Sequence, residues 1–353
     1  MRKFLILFII FLVLGLTYFY FRKNSKSPAK KIPSPTKSND SNNPPSPAFG
    51  GIRRAKEKKS IFVPDWSLTG EKILANGYDR WIYFGDVAKI DEFISCVPQK
   101  NNLWFTLKIT KIPEQTDWEA LAKETLDEAK NKAMSGLVLD LEISELPTDK
   151  TVSQINQFVE FFYTKIKEAN IKLALAIYGD VFYRRRPYDL LFLEKHCDEI
   201  MIMAYDFHKS GGEPGPNFPF SGINKYGYDF QTMIDDFLKF VPSEKLTVIF
   251  GMYGYDWTVD EKKRPIKPAV ALTLNQINEK FLKKCEWQDC LVRRDNLSAQ
   301  TEVDYVISRV VDNYGYLDYH IVWFEDMQSV NIKWEFLKKK GIGSITFWAY
   351  GYF

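Results

Sequence analysis

The chain has 353 residues, of which 45% are hydrophobic and 16% aromatic, and its formal net charge at pH 7 is +3. This length and composition can bury a large core, as one barrel-sized domain or as two smaller domains. The charge is uneven: residues 1–59 hold 13 basic and 2 acidic side chains, and the rest of the chain holds 35 basic and 43 acidic ones. An acidic folded part argues against a nucleic acid as the main partner.

The chain begins with an apolar segment. Met1-Arg-Lys3 precedes eighteen uncharged and almost entirely apolar residues, Phe4 to Phe21. About 20 such residues span a bilayer, and no convincing small-residue cleavage site follows them. Residues 1–23 are therefore predicted to be an uncleaved transmembrane signal anchor, with a cleaved signal peptide as the alternative. More basic residues follow the segment than precede it, which favours a cytoplasmic position for the rest of the chain.

The next segment, residues 24–59, is rich in Ser, Pro, Asn and Lys. This composition predicts a disordered linker, with the folded domain over residues 60–353. The basic charge of the linker suits anionic headgroups or wall polymers.

From Ser60 onwards, short apolar runs alternate with amphipathic ones. The predicted strands are Ser60–Pro64, Arg80–Phe84, Leu103–Ile109, Gly136–Glu142, Lys172–Tyr178, Glu199–Tyr205, Leu246–Tyr253 and Ser344–Trp348. Apolar residues at helical spacing predict helices over Trp118–Ala133, Val152–Ala169, Phe230–Phe240 and Val330–Lys340. Eight strands alternating with helices predict an α/β fold of the (β/α)₈ TIM barrel type. An open doubly wound sheet is the rival, but no Gly-rich phosphate turn follows an early strand.

A small insertion is expected between the seventh and eighth strands, over about residues 258–325, because about ninety residues separate these strands. This region contains Cys285 and Cys290, which are close enough to form a disulfide in an oxidising compartment; two free buried thiols are the alternative. The cysteines show no metal-type pair spacing and the three histidines are scattered. No metal or cofactor is therefore predicted.

The fourth predicted strand carries two carboxylates. The run from Leu137 to Leu141 is aliphatic except for Asp140, and Glu142 follows it. Alternation along a strand places Val138, Asp140 and Glu142 on one face, with the two acidic residues about 7 Å apart at the backbone. Their proximity is expected to raise the pKa of one carboxyl, as a general acid requires. A strand end with solvated carboxylates is the alternative.

Three other strand ends carry aromatic and acidic residues. In a barrel of this type, the chemistry lies at the C-terminal ends of the strands. The residues at these ends are Tyr205, Asp206, Tyr253, Tyr255, Trp257 and Trp348. Aromatic faces and carboxylates together suit a sugar polymer, whose C–H faces stack on rings and whose hydroxyls bind carboxylates. Packing at the barrel rim is the alternative for each residue taken alone.

These motifs resemble glycoside hydrolase family 18, the chitinase-like family. Its fourth strand reads Asp-x-x-Asp-x-Asp-x-Glu, and the corresponding positions here are Ser135, Val138, Asp140 and Glu142, of which the last two match. The run Met203-Ala-Tyr-Asp206 matches the family's Met-x-Tyr-Asp strand. Three further stretches resemble the spore-germination and cortex-lytic branch: Gly251–Trp257, Val322–Asp326 with Ser329 and Lys333, and Phe347-Trp348. The resemblance covers about residues 60–353.

The resemblance implies substrate-assisted retaining hydrolysis, in which the acetamido oxygen of the substrate is the nucleophile. It assigns Glu142 as general acid and then base, Asp140 as the residue that orients the acetamido group, and Tyr205 as a donor to the acetamido oxygen. Asp206 would bind the sugar and Trp348 would form the floor of the subsite. The remaining predicted substrate-binding residues are Tyr253, Tyr255, Trp257 and Asp326. Val138 removes the buried acid that pairs with Asp140 in the family, and Ser135 is the lesser departure.

The sequence thus predicts a glycosidase that cleaves β-linked N-acetylglucosamine polymers, peptidoglycan first and chitin oligomers second. A non-hydrolytic carbohydrate-binding protein is the alternative. The predicted location is the cell membrane, as a monomeric single-pass protein with its catalytic domain outside, or secreted if the first segment is cleaved. An outside location conflicts with the flanking charges, and the sequence leaves that conflict open.

Overall fold

The computed structural model describes residues 57–312 and 314–353. The strands in this part of the chain are β1 (Lys58–Pro64), β2 (Arg80–Phe84), β3 (Leu103–Ile109), β4 (Gly136–Leu141), β5 (Lys172–Tyr178), β6 (Glu199–Ala204), β7 (Leu246–Gly251), β8 (Tyr253–Val259), β9 (Val270–Thr273), β10 (Gln288–Arg294), β11 (Thr301–Val311), β12 (Tyr314–Phe324) and β13 (Ser344–Trp348). The helices are α1 (Ile90–Cys96), α2 (Trp118–Asn131), α3 (Asp149–Glu168), α4 (Val181–Arg184), α5 (Leu190–Leu193), α6 (Ile223–Tyr226), α7 (Phe230–Phe237), α8 (Leu274–Ile277) and α9 (Met327–Lys339).

Eight parallel strands close into a barrel in the order β1-β13-β7-β6-β5-β4-β3-β2. The predicted barrel is therefore confirmed. The apolar runs of the sequence are buried because helices cover the outside of the strands and side chains fill the inside. The longest of the described helices, α3, begins after Thr148, whose side chain accepts a hydrogen bond from the Thr151 N–H, and it buries Ile155, Phe158 and Phe162 at helical spacing.

The inside of the barrel is packed. Its apolar layer includes Phe62, Ile82, Trp104, Val138, Met201 and Ile249. At the N-terminal end of the strands, Arg80 forms a bidentate ion pair with Glu199. The interior is thus filled below the C-terminal mouth, and the carboxylate face of β4 opens only at that mouth.

The insertion is a five-stranded antiparallel sheet in the order β10-β11-β12-β8-β9, which we call the lobe. The lobe begins earlier in the chain than predicted, because β7 ends at Gly251 and β8, the first lobe strand in chain order, starts at Tyr253. Between them, the Met252 N–H donates to the Trp348 carbonyl at 2.7 Å. The apolar run continues through the junction, so the sequence pattern could not reveal that the chain changes sheets there. A disulfide joins Cys285 to Cys290 within the lobe.

The predicted membrane location is corrected by the structure. No helix within residues 57–312 and 314–353 is both long and apolar enough to cross a bilayer. The predicted anchor, residues 1–23, and the linker up to residue 56 lie outside the described residues.

Candidate active site

Asp140 and Glu142 lie at the C-terminal end of β4. Asp140 is the last inward-facing residue of the strand, and only 5% of its surface is exposed. Its Oδ1 atom has no hydrogen-bond partner in the described part of the protein. Glu142 follows the strand, and its N–H donates to the Ile109 carbonyl of β3 at 3.0 Å. One carboxyl is thus buried and the other reaches the cleft.

Burial is the main cause that raises the pKa of Asp140, to about 8, and the negative charge of Glu142 adds to it. The positive charge of Lys108 acts in the opposite direction. Near neutral pH, the Asp140–Glu142 pair therefore retains one proton. Such a shared proton is what a general acid at this position would use.

Lys108 was not singled out by the sequence reasoning. Parallel pairing places Lys108 of β3 beside Asp140 of β4, and Lys108 Nζ donates to Glu142 Oε1 at 2.8 Å. The signal was present, because alternation in β3 puts Trp104, Thr106 and Lys108 on the inner face.

Tyr188 was also missed, and it holds the backbone on both sides of Glu142. Its hydroxyl accepts a hydrogen bond from the Ile143 N–H at 3.2 Å and donates to the Leu141 carbonyl at 2.5 Å. Tyr188 lies 45 positions after Ile143 in the chain, so no local pattern connects the two. This clamp fixes the backbone that presents Glu142.

Tyr205 and Trp348 face each other across the mouth. Tyr205 follows β6, and its ring lies nearly parallel to that of Trp348, with centroids 6.5 Å apart. The edge of Phe84 contacts Trp348 at 4.8 Å between centroids. Burial, followed by the charges of Asp140, Asp206 and Glu142, raises the pKa of Tyr205 well above its ordinary value. Tyr205 therefore stays protonated and can donate a hydrogen bond.

Asp206 has a left-handed backbone, with φ = 55°. Its Oδ1 accepts hydrogen bonds from the hydroxyls of Tyr253 and Tyr255, the latter at 2.9 Å. Burial raises the pKa of Asp206, against the effect of these two hydrogen bonds. The lobe thus contributes two tyrosines to the same mouth as the carboxylate pair, as the sequence predicted for their strand end.

Trp257 and Asp326 lie apart from the mouth. Trp257 is 0% exposed in the core of the lobe, and its N–H donates to the Gly212 carbonyl at 3.0 Å. Asp326 caps the start of α9 by accepting from the Ser329 N–H, and it forms an ion pair with Arg294. Trp257 is therefore fully buried, whereas the Asp326 carboxylate is partly exposed but already bound by the helix cap and by Arg294. Their position at strand ends predicted a role in sugar binding, but the sequence pattern does not report which faces the lobe covers.

Trp66 is an aromatic residue of the mouth that the sequence reasoning missed. It follows β1 and is 53% exposed, with its ring 5.8 Å from that of Phe84 and 6.3 Å from that of Trp348. The strand-end rule would have found it, because it comes two residues after the predicted first strand. Trp66 extends the aromatic surface of Trp348 outward.

Comparison with known proteins agrees with the fold and the motifs. The sequence profile of glycosyl hydrolases family 18 matches residues 108–352, which is more than half of the chain. The chain belongs to glycosyl hydrolase family 18. Within the matched region lie the fourth-strand carboxylates and the Met-x-Tyr-Asp strand that carried the resemblance, and the structure brings both to the barrel mouth.

Several family 18 relatives are similar to this chain. The cortical fragment-lytic enzyme of Bacillus subtilis (strain 168) is 24% identical over 247 residues, which cover 67% of this chain and 51% of that protein. The spore cortex-lytic enzyme SleL of Bacillus cereus has a TM-score of 0.66 at 16% identity, over 85% of this chain and 72% of that one. Human YKL-39, described as a pseudo-chitinase with retained chitooligosaccharide binding, has a TM-score of 0.64 at 18% identity, over 83% and 92%.

At 16% and 18% identity, the two solved structures show only that this chain shares their fold. The chain spans about a third to a half of the length of the curated relatives it matches first.

Proposed function

We propose that this family 18 protein hydrolyses β-linked N-acetylglucosamine polymers by substrate-assisted retaining catalysis, with peptidoglycan as its main substrate and chitin oligomers second. The observation that carries the proposal is the pair of Asp140 and Glu142 at the barrel mouth, of which one carboxyl is buried and the other reaches the cleft. Carboxyl groups with a raised pKa in a cleft are concentrated at catalytic sites, which supports hydrolysis over binding alone.

The proposed first step forms a cyclic intermediate. The sugar stacks on Trp348, Tyr205 donates to the acetamido oxygen, and Asp140 accepts from the acetamido N–H. The acetamido oxygen then bonds to the anomeric carbon while the bond from that carbon to the glycosidic oxygen breaks. Glu142 gives the one proton of the Asp140–Glu142 pair to the departing oxygen, which leaves Asp140 ionised beside the positively charged intermediate.

The second step restores the enzyme. Water attacks the anomeric carbon, the bond to the acetamido oxygen breaks, and Glu142 takes the proton released by the water. Two displacements at one carbon leave its configuration unchanged. No covalent bond forms between the sugar and the enzyme, which is the family's exception to the two-carboxylate scheme.

Val138 affects which carboxyl groups can share a proton with Asp140. It is fully buried beneath Asp140, at the position where the family has an acid. Asp140 therefore shares a proton only with Glu142 on this strand, and its Oδ1 is buried without a hydrogen-bond partner in the described part of the chain. The other proposed sugar ligands are Asp206, Tyr253 and Tyr255, and we propose a supporting role for Trp257 and Asp326.

Two observations support peptidoglycan over chitin. One curated relative, from Bacillus subtilis (strain 168), is named a cortical fragment-lytic enzyme. In addition, three consecutive arginines follow β5; Arg184 and Arg186 both pair with Asp180, and Arg186 also lies over the ring of Tyr178 at 4.1 Å. Tyr178 lies two residues after Ala176, which pairs with Asp140, and it is near enough to Glu142 for burial and then the Glu142 charge to raise its pKa. A positive loop near the acid suits the lactyl and peptide carboxylates of peptidoglycan, whereas chitin is uncharged.

Product analysis tests the proposed function. Mass spectrometry of digests is expected to show fragments of purified peptidoglycan with N-acetylglucosamine at the new reducing end, and a slower release of chitin oligomers. The anomeric configuration of the first product, followed by NMR, is expected to match the substrate. Equal hydrolysis of matched substrates with and without the 2-acetamido group would contradict the mechanism, as would a sugar ester on any carboxylate. Binding without product release would favour the carbohydrate-binding alternative, for which YKL-39 is the structural precedent.

The pH dependence of the rate provides a further prediction. Because burial raises the pKa of Asp140 to about 8, we expect kcat/KM to fall above about pH 8, where the carboxyl pair loses its last proton. The positive charge of Lys108 lowers the pKa of Asp140. Lys108→Gln is therefore expected to raise the pKa of Asp140 further and to move the alkaline limb of the profile, the fall in kcat/KM, to higher pH. We expect a shift of about 0.5–1 pH unit, because the Lys108–Glu142 pair is partly exposed.

Two control variants define the outcome for Lys108. Lys108→Arg keeps the charge and is expected to keep the wild-type limb. Lys111→Gln removes an exposed charge three residues further along the chain, and its profile is expected to match the wild type. An alkaline limb that stays in place in Lys108→Gln would show that Lys108 does not act on the carboxyl pair.

A further inference from the structure

A buried hydrogen-bonded network connects the lobe to the backbone of Asp206. Asn217, in the loop after β6, is 2% exposed. Its Oδ1 accepts from the Asp206 N–H at 2.7 Å, and its Nδ2 donates to the Gly251 carbonyl at 3.1 Å. One partner is a donor and the other an acceptor, and the Asn217 amide satisfies both at once in this orientation.

The network continues from Asn217 into the lobe. Gln300, which is wholly buried, accepts from the Asn217 N–H at 2.7 Å and donates to the carbonyl of Phe218 at 3.1 Å and to Glu325 Oε2 at 2.5 Å. Glu325 in turn forms an ion pair with Lys333 and accepts from the Ser329 hydroxyl. Glu325, Ser329 and Lys333 belong to the motif formed by Val322–Asp326, Ser329 and Lys333, which the proposed chemistry does not use.

The network acts on a strained part of the site. A left-handed backbone is unfavourable for a residue with a side chain and persists only where surrounding contacts hold it. Asp206 has this conformation, and its amide is bound by Asn217 at the point where the chain leaves β6. The direction of its carboxylate, which accepts from Tyr253 and Tyr255, follows from this backbone.

We propose that Asn217 is a positioning residue, which holds Asp206 in its left-handed conformation and is itself fixed from the lobe by Gln300 and the Glu325–Lys333 pair. This inference rests on the proposed function for its catalytic consequence, because Asp206 is there a sugar ligand. Its structural part concerns the Asp206 amide and is independent of hydrolysis.

Kinetics with a double-mutant cycle test the catalytic part. Asn217→Ala in the full chain is expected to lower kcat/KM on peptidoglycan fragments by about 10–100-fold, because a displacement of about 1 Å has effects of this size. In an Asp206→Ala background, the same substitution is expected to change kcat/KM by less than about twofold. The same loss in both backgrounds would overturn the proposal, since Asn217 would then act by general stability and not through Asp206.

A matched control is available at the opposite end of the barrel. Asn102, which is half-buried, also makes two hydrogen bonds through its side-chain amide, accepting from the Trp104 indole Nε1–H at 2.8 Å and donating to the Asp79 carbonyl at 2.7 Å. Asn102→Ala removes the same groups without a path to Asp206, and kcat/KM is expected to stay at the wild-type value. If Asn217→Ala does not fold, Asn217→Ser replaces it, because its shorter side chain also fails to reach the Asp206 amide.

Hydrogen exchange separates this inference from the proposed function. Exchange at the Asp206 amide, followed by mass spectrometry of overlapping peptides that begin at least two residues before Asp206, is expected to be slow in the wild type and in Asn102→Ala and at least about tenfold faster in Asn217→Ala. This readout needs no substrate. Faster exchange in Asn217→Ala, together with a wild-type protein that hydrolyses no substrate, would support the positioning role and overturn the proposed function. Exchange in Asn217→Ala that equals the wild type would overturn the positioning role, whatever the activity.

Discussion

Glu142→Gln is expected to lower kcat by about 10²–10⁴-fold, because an amide of the same size has no proton to give to the glycosidic oxygen. The substitution leaves the packing of β4 intact, since Glu142 lies beyond the end of the strand and is partly exposed. Binding of N-acetylglucosamine oligomers, measured by calorimetry, is therefore expected to stay within a few-fold of the wild type.

The choice of substrate matters for Glu142→Gln. A leaving group that departs without protonation hides the loss, so natural oligomers with poor leaving groups are the informative substrates. Glu145→Gln is the matched control, because Glu145 is an exposed residue three positions further along the same loop. If Glu142→Gln kept more than about a tenth of the wild-type rate on natural oligomers, another group would be the acid.

Lys333→Met is expected to destabilise the protein by about 3–5 kcal/mol, because it leaves Glu325 buried without its counter-ion. Both side chains are 0% exposed, and Lys333 also donates to the Phe218 carbonyl at 2.7 Å. Each kcal/mol lowers the melting temperature of a domain of 150–250 residues by about 2–4 °C, so a fall of roughly 10 °C is expected by calorimetry.

The pH dependence of this loss identifies its cause. Burial raises the pKa of Glu325, so in Lys333→Met the folded protein holds a proton that the unfolded chain releases above about pH 4. Stability is lost as pH rises, because unfolding then releases a proton, and the deficit is expected to be larger at pH 8 than at pH 5. Adding Glu325→Gln removes the uncompensated charge and is expected to recover most of the stability. A deficit that is equal at both pH values would point to lost packing instead.

Local sequence patterns predicted the barrel and part of the site. Alternation along β4 is a property of neighbouring residues, so the shared face of Asp140 and Glu142 could be predicted without tertiary information. The strand-end rule likewise brought Tyr205 and Trp348 to one mouth. The contacts that hold Glu142 and its backbone in place were not predictable from local patterns. Lys108 lies 34 positions before Glu142, and Tyr188 lies 45 positions after Ile143.

The lobe shows what sequence periodicity leaves out. The chain passes from β7 into β8 without a break in hydrophobicity, so Gly251–Trp257 looked like the end of a barrel strand. Alternation places Tyr253, Tyr255 and Trp257 on one face of β8, where the two tyrosines contact Asp206 and Trp257 is buried beside Tyr255. The burial of Trp257 and the helix-capping role of Asp326 depend on which elements cover these side chains, and sequence periodicity does not report that.

The way in which the lobe is joined to the barrel has a consequence for the turnover cycle. Only Met252 separates β7 from β8, and only Glu325 and Asp326 separate β12 from α9. A lid that opens and closes needs hinge residues that are free to change their backbone angles. Here Glu325 is locked in its ion pair, and the Met252 amide is bonded to the Trp348 carbonyl. We therefore expect the lobe to be a fixed wall of the barrel mouth, which takes part in the turnover cycle without opening or closing.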